Sequence, residues 1–266
     1  MTPLTNFENI YLKREDLNPT GSAKDRALPL QIENLIKNNF SSAVISSTGN
    51  AAISASFYCQ QANIPLTVFV SPNINRYKLS QIKANIVESL KPISDAIKFS
   101  KKNHSYLLRQ STDINAQIGY GEITKEILSE LPQITSIFIP VGSGTTLLGI
   151  AKLLPNNVKI FAVQPASNPT ICSIFRPDYT LENETITDAL SVKYLPLKKE
   201  IIKTIKLHQG DGLIVRNQEV IKASEYTKHF LVSPESALCL AGYHQIKNNI
   251  DVGKFPVILF TGTKRQ

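Results

Sequence analysis

Three short stretches hold the residues whose types and spacing suit chemistry. The first runs Asn18-Pro19-Thr20-Gly21-Ser22-Ala23-Lys24-Asp25-Arg26, a turn-forming run that delivers a lysine to a helix start. A lysine there sits beside the positive end of the helix dipole, a placement that suits a Schiff-base amine. Taken alone, the same run also reads as a surface turn with an ordinary lysine. The second is Ser46-Ser47-Thr48-Gly49-Asn50-Ala51-Ala52. Free backbone N–H groups at its helix start suit a carboxylate, or need no more than an N-cap. The third is Val141-Gly142-Ser143-Gly144-Thr145-Thr146, whose two glycines and three hydroxyls suit a phosphate cradle or a tight capped turn. It is not a Walker A loop, because no lysine follows the second glycine. It is not a dinucleotide fingerprint, because Gly149 comes too late to be the third glycine.

Strands must place these turns. Short apolar runs at Ile10–Leu12, Ala43–Ser46, Leu66–Val70, Ser136–Pro140, Lys159–Val163 and Pro256–Phe260 read as strands, mostly buried on both faces. Between them, Ala51–Ala62, Leu79–Ser89, Gly121–Leu131, Thr146–Leu154, Asn217–Lys228 and Glu235–Lys247 read as helices. Asp211-Gly212 reads as a turn, and Phe175–Glu200, with weak periodicity, as an excursion over the surface. Alternating β and α units predict an α/β fold with mainly parallel sheets, and ligands in such folds sit at the carboxyl ends of strands.

Composition removes other classes. With 266 residues and 42% of them hydrophobic, the chain can bury one large core or two intimate ones. The formal charge of +8 would suit an anionic partner, but the basic residues are scattered, so no nucleic-acid footprint forms. Cys59, Cys172 and Cys239 lie too far apart for a zinc site, and an odd, sparse count argues against a disulfide framework. Neither a secretory leader nor a membrane-length apolar run is present, so a cytoplasmic setting is expected. His104, His208, His229 and His244 read as packing or surface residues.

In order along the chain, these stretches resemble a family of pyridoxal phosphate (PLP) enzymes. That family includes threonine synthase, cysteine synthase, serine/threonine dehydratase and the tryptophan synthase β subunit. The Lys24 run is similar to the threonine synthase lysine motif, and Ile10–Leu17 to the segment before it in tryptophan synthase β and the dehydratases. Lys78-Leu79-Ser80-Gln81, Gly142–Thr146, Val232–Ala237 and Thr261-Gly262-Thr263-Lys264 resemble later family motifs, so the likeness runs from Ile10 to Lys264. It implies two three-layer α/β domains with PLP in the cleft between them. Residues 42–131 would form a smaller mobile domain that closes on substrate; residues 1–41 and 132–266 would form the larger one. It implies that Lys24 holds PLP as a Schiff base and shuttles the α proton. Asn50 would bond the ring hydroxyl. Ser47, Thr48, Gly49 and Asn50 would take the substrate carboxylate. Gly142, Ser143, Gly144, Thr145 and Thr146 would take the cofactor phosphate. Thr261 would face the pyridine nitrogen as a hydroxyl that leaves it unprotonated. A homodimer, an amino-acid substrate and no metal are expected.

The departures bear on the reaction. Ala23 and Ala27 replace a phenylalanine and a glycine of the threonine synthase motif, and Ser233 stands where the family often has glutamate. Pro29 requires the next helix to start late, near Ala27, or to kink. The stretch Thr112–Glu122 has no basic residue between Arg109 and Lys125 to hold a substrate phosphate, while Glu184–Val192 resembles the dehydratases. The leading expectation is elimination or replacement on a small amino acid by a threonine synthase-like lyase. A serine/threonine dehydratase or cysteine synthase-like enzyme is the alternative, and a PLP-binding homologue without turnover is another.

Overall fold

The computed structural model describes residues 1–265 except Thr48, Ser191, Lys193 and Tyr194. Two strands open the chain, β1 (Leu4–Phe7) and β2 (Ile10–Arg14), joined by a tight turn with Glu8 and Asn9 in the left-handed region. A 3₁₀ turn, Ala23–Arg26, precedes α1 (Leu28–Lys37). Then come β3 (Ala43–Ser46), α2 (Asn50–Gln61), β4 (Leu66–Val70), α3 (Arg76–Ser80), β5 (Asn85–Glu88), α4 (Pro92–Asn103), β6 (Tyr106–Leu107) and α5 (Ile114–Glu130). The second half holds β7 (Ser136–Pro140), α6 (Thr145–Ala151), β8 (Lys159–Pro165), α7 (Lys198–Leu207), β9 (Asp211–Val215), α8 (Asn217–Tyr226), α9 (Pro234–Ile246) and β10 (Pro256–Phe260).

These strands make two sheets. One has six strands in the order β1-β2-β10-β7-β8-β9, parallel apart from the β1–β2 pair; the other has four parallel strands in the order β5-β4-β3-β6. The continuous apolar runs have a direct cause: both faces are covered by helices. In β7 and β10, Ile137, Ile139, Val257 and Leu259 pack towards α1, α5, α6 and α7, whereas Phe138, Ile258 and Phe260 pack towards α8 and α9. In the four-stranded sheet, Ala43, Ile45, Val68 and Val70 join the first of these cores, and Val44 and Phe69 meet Ala96 of α4 on the other face. One apolar core therefore runs from the small sheet through α1, α2 and α5 to the large one.

Pro29 falls in the first turn of α1, where its missing N–H costs nothing, so this helix starts late rather than kinking. Two expectations need correction. Leu79–Ser89 is not one helix: α3 ends at Ser80, and Asn85–Glu88 is a strand, because the pair Ile86-Val87 extends the sheet beside β4. Asp211-Gly212 is not a turn but the start of β9; the chain reverses earlier, at Gln209 (φ 49°) and Gly210. Gly212 lies so close to Cys172 that a Cβ there would sit 2.8 Å from the Cys172 Cα.

Candidate active site

The turns after β3, β6, β7 and β10 converge at the carboxyl ends of both sheets, where a cavity of about 960 Å³ opens. Lys24, Ser47, Gly49, Asn50, Gly142, Ser143, Gly144, Thr146 and Thr261 all line it. Thr145 does not: its side chain is buried, with Oγ1 3.0 Å from the Ser143 Oγ. Thr48 lies outside the described residues.

Local hydrogen bonds explain why Lys24 and Thr261 meet. The Ala23 N–H donates to the Thr261 carbonyl (2.9 Å), and the Thr263 N–H donates to the Gly21 carbonyl (2.9 Å), so the end of β10 is stitched to the lysine turn. Gly21 has φ 76°, a conformation glycine adopts without strain. The neighbouring Asp25 carboxylate accepts from Thr20 and from Ser54 of α2, tying the lysine turn to the helix that begins at Asn50. Burial raises the Asp25 pKa, against those hydrogen bonds and the Arg265 charge.

The Lys24 Nζ donates to the Gln110 Oε1 at 2.9 Å and to the Tyr120 Oη at 3.2 Å, and Tyr120 in turn donates to Gln110 at 3.1 Å. Tyr120 is fully buried on α5. Two glycines bring it there: a Cβ on Gly119 would sit 2.0 Å from the Arg26 carbonyl oxygen, and one on Gly149 would sit 2.6 Å from the Tyr120 Cβ. On the opposite wall the Arg265 Nε donates to the Asn50 Oδ1 at 2.7 Å, which leaves the Asn50 Nδ2 as a donor. Arg265 also bonds Gln81 and the Thr20 carbonyl.

Gln110, Tyr120, Arg109, Lys78 and Arg265 went unread in the sequence as site residues. Of these, Lys78, in the run Lys78-Leu79-Ser80-Gln81, and Tyr120, set between Gly119 and Gly121, have a local signal. The segment read as a surface excursion is more than that, since Ile186, Ala189, Leu190 and Val192 line the cavity and Leu190 is buried. None of the four histidines lines it. Among the described residues, no cluster of His, Cys, Asp or Glu could hold a metal ion.

An amine at the carboxyl ends of parallel strands, in one cavity with a glycine-and-hydroxyl loop, suits an aldehyde cofactor carrying a phosphate. PLP fits the residues present. Lys24 would offer an amine to its aldehyde, and the 142–146 loop would offer its phosphate backbone N–H groups and the Ser143 and Thr146 hydroxyls. The Gln110 Nε2 is buried and has no hydrogen-bond partner among the described residues. The family model described as "Pyridoxal-phosphate dependent enzyme" matches residues 1–262, and the chain belongs to that family. It is similar to an L-threonine ammonia-lyase of Thermotoga maritima, with 24% identity over 95% of this chain and 66% of the relative. It is similar to an L-threo-3-hydroxyaspartate ammonia-lyase of Saccharomyces cerevisiae, with 26% identity over 95% of this chain and 82% of the relative. The chain thus spans just under two thirds of the Thermotoga protein's length. Its fold matches that of a PLP-dependent aspartate racemase, with a TM-score of 0.87, 19% identity, and 100% of this chain and 90% of the other covered. No helix among the described residues is long and apolar enough to cross a membrane.

Proposed function

We propose that this enzyme deaminates a small β-hydroxy amino acid by PLP-dependent elimination. The Cα proton and the β-hydroxyl leave as water, and hydrolysis of the resulting enamine gives a keto acid and ammonia. The observation that carries the reading is the Lys24 amine inside the cavity, held by Gln110 and Tyr120. PLP, when bound, supplies the electron sink for the Cα–H bond pair.

The chain's own residues bind, orient and move protons. Lys24 holds the cofactor and carries the Cα proton on its Nζ. Tyr120 and Gln110 fix where that nitrogen points. Ser47, Gly49 and Asn50, with Thr48 between them, bind the substrate carboxylate, and a missing Cβ at Gly49 leaves open space there. Asn50, its Oδ1 occupied by Arg265, offers Nδ2 to the ring hydroxyl. Gly142, Ser143, Gly144 and Thr146 would hold the phosphate, with Thr145 adding at most its backbone N–H because its side chain is buried against Ser143, and Thr261 would face the ring nitrogen with a hydroxyl rather than a charge. Gly144 belongs there because φ is 81° and a Cβ would sit 2.0 Å from the Ile201 Cδ1.

Deamination is preferred to the threonine synthase-like reaction because the relatives described above are ammonia-lyases and because Ile186, Ala189, Leu190 and Val192, from the dehydratase-like run Glu184–Val192, line the cavity. The proposal includes a mobile unit of residues 42–131 that closes on a larger unit of residues 1–41 and 132–266, and assembly as a homodimer, which light scattering checks.

The test is borohydride reduction of the PLP-loaded protein, with peptide mass mapping, beside assays of amino acids for keto acid and ammonia. A pyridoxyl group on Lys24, and loss of keto acid in Lys24→Ala, are expected. An unlabelled Lys24 would overturn the reading. Phosphate release from phosphohomoserine, thiol-dependent product from O-acetylserine or inversion at Cα, without keto acid, would replace it with synthase, β-replacement or racemase chemistry.

A further inference from the structure

The cavity wall carries more positive charge than the cofactor and one carboxylate need. Lys24, Lys78, Arg109 and Arg265 line it, against a single described acid, Glu235. Lys24 is taken by the cofactor, and Arg265 is committed to Asn50, Gln81 and the Thr20 carbonyl. Arg109 differs from both. Five arginines are buried or half-buried: Arg14, Arg26, Arg109, Arg176 and Arg265. The side chains of four are hydrogen-bonded, Arg14 to Asp16, Arg26 to Glu15 and Glu126, Arg176 to Asp211, and Arg265 as above. The Arg109 side chain has no ion pair or hydrogen bond among the described residues, although its backbone is fixed by the Leu107 carbonyl and by Thr112. Arg109 is half-buried and faces the cavity, where a ligand can supply the anion that its guanidinium lacks.

Its place in the fold says which anion. Strand β6 pairs with β3 through Ala43↔Tyr106 and Val44↔Leu107. Continuing that register brings Arg109 out level with Ser46, beside the loop proposed for the α-carboxylate. The proposed phosphate loop follows β7, in the other sheet. We infer that Arg109 binds a second anionic group on the substrate, so that this site selects amino acids whose side chain ends in a carboxylate or a phosphate. This rests on the proposed deamination and narrows its substrate; with O-phosphoserine, the Cα proton and the phosphate would leave as inorganic phosphate in place of water. The absence of a basic residue from 112–122 does not count against it, because the cation comes from the end of β6.

The test compares kcat/KM for keto-acid formation from serine, threonine, 3-hydroxyaspartate and O-phosphoserine, in the PLP-loaded wild type and in Arg109→Gln and Arg109→Lys. Wild type is expected to favour one anionic substrate over serine and threonine; which one separates carboxylate from phosphate. Arg109→Gln should raise KM for that substrate about tenfold or more, as for loss of a charge-assisted hydrogen bond. It should leave KM for serine within about twofold, and Arg109→Lys should recover part of the loss, since a point charge replaces a fork. Titrating the cofactor's absorbance with aspartate gives a binding readout independent of turnover. Equal losses on all substrates would assign Arg109 to the α-carboxylate, and a lost affinity for PLP would assign it to the cofactor; either overturns the inference. So does a preference for serine or threonine that Arg109→Gln leaves unchanged. Failure of the deamination reading itself would differ, giving no keto acid from any of the four.

Discussion

The proposed role of the Lys24 amine requires that something fix its direction between one reacting atom and the next. Tyr120 and Gln110 do this from two elements: Tyr120 accepts from Lys24 and donates to Gln110, closing a three-membered set of hydrogen bonds in a buried place. Tyr120→Phe keeps the ring that fills the space beside Gly149 and deletes only the hydroxyl. A lost hydrogen bond of about 1 kcal/mol corresponds to about fivefold in rate. We expect kcat for the wild type's best substrate to fall by roughly that factor, with PLP absorbance and Tm retained; an unchanged kcat would make Tyr120 a packing residue. Such partners are hard to read from a sequence. Lys24, the Ser46–Ala52 loop and the Gly142–Thr146 loop each announce themselves through a local run of turn and hydroxyl residues. Gln110, Arg109 and Arg265 sit in unremarkable surroundings, and what brings them to the cavity is the register of β6 on β3 and the path of the chain after β10.

Among the elements, the lysine turn is anchored by an ionic cluster spanning β2, the 3₁₀ turn and α5. The Lys13 Nζ lies 2.5 Å from the Glu126 Oε2, Arg26 bonds both Glu126 and Glu15, and the Lys13 and Glu15 side chains are fully buried. Burial alone would raise the Glu126 pKa, but the hydrogen bonds and charges of Arg26 and Lys13 outweigh it and hold it at about 2. Relative to the ordinary 4.5, the folded state keeps this carboxylate ionised while the unfolded chain protonates. Its contribution to stability is therefore full above about pH 4.5 and drains away as pH falls towards about 2. Glu126→Gln leaves Lys13 and Arg26 short of an anion and should cost about 3 kcal/mol at neutral pH. Denaturant midpoints taken across that pH range should show the deficit narrowing as acid is added, and a constant deficit would count against the assignment. Most strands buried on both faces were legible because a continuous apolar run is what that environment demands, but not β9, whose Asp-Gly start reads as a turn. Strands β5 and β6 were not, since they hold four and two residues with polar or half-exposed ends, and only their partner strands make them extended.

At the scale of the whole molecule, the two sheets suggest two bodies and the apolar core suggests one. The cavity lies between the sheets, yet the largest hydrophobic cluster passes without interruption from Ile45 and Val68 through Ala52 and Tyr120 to Ile139 and Leu259. The cysteines sample both arrangements. Cys59 sits on α2 beneath the small sheet and Cys172 beside the large one, both in this shared cluster, whereas Cys239 lies in the separate core under α9. All three are buried and free, and burial pushes the Cys59 thiol up to about 12 and the other two up as well. Thiolate chemistry in the native state is thereby suppressed, and labelling has to wait for opening. If the shared core governs cooperativity, Cys59 and Cys172 open together. Pulsed thiol alkylation in sub-denaturing urea, read by peptide mass, should then give them the same free energy of opening. If the small sheet unfolds as a unit of its own, Cys59 labels at lower urea than Cys172. In that case closure of residues 42–131 over substrate would draw on a body only loosely coupled to the rest, rather than on a hinge within one continuous core.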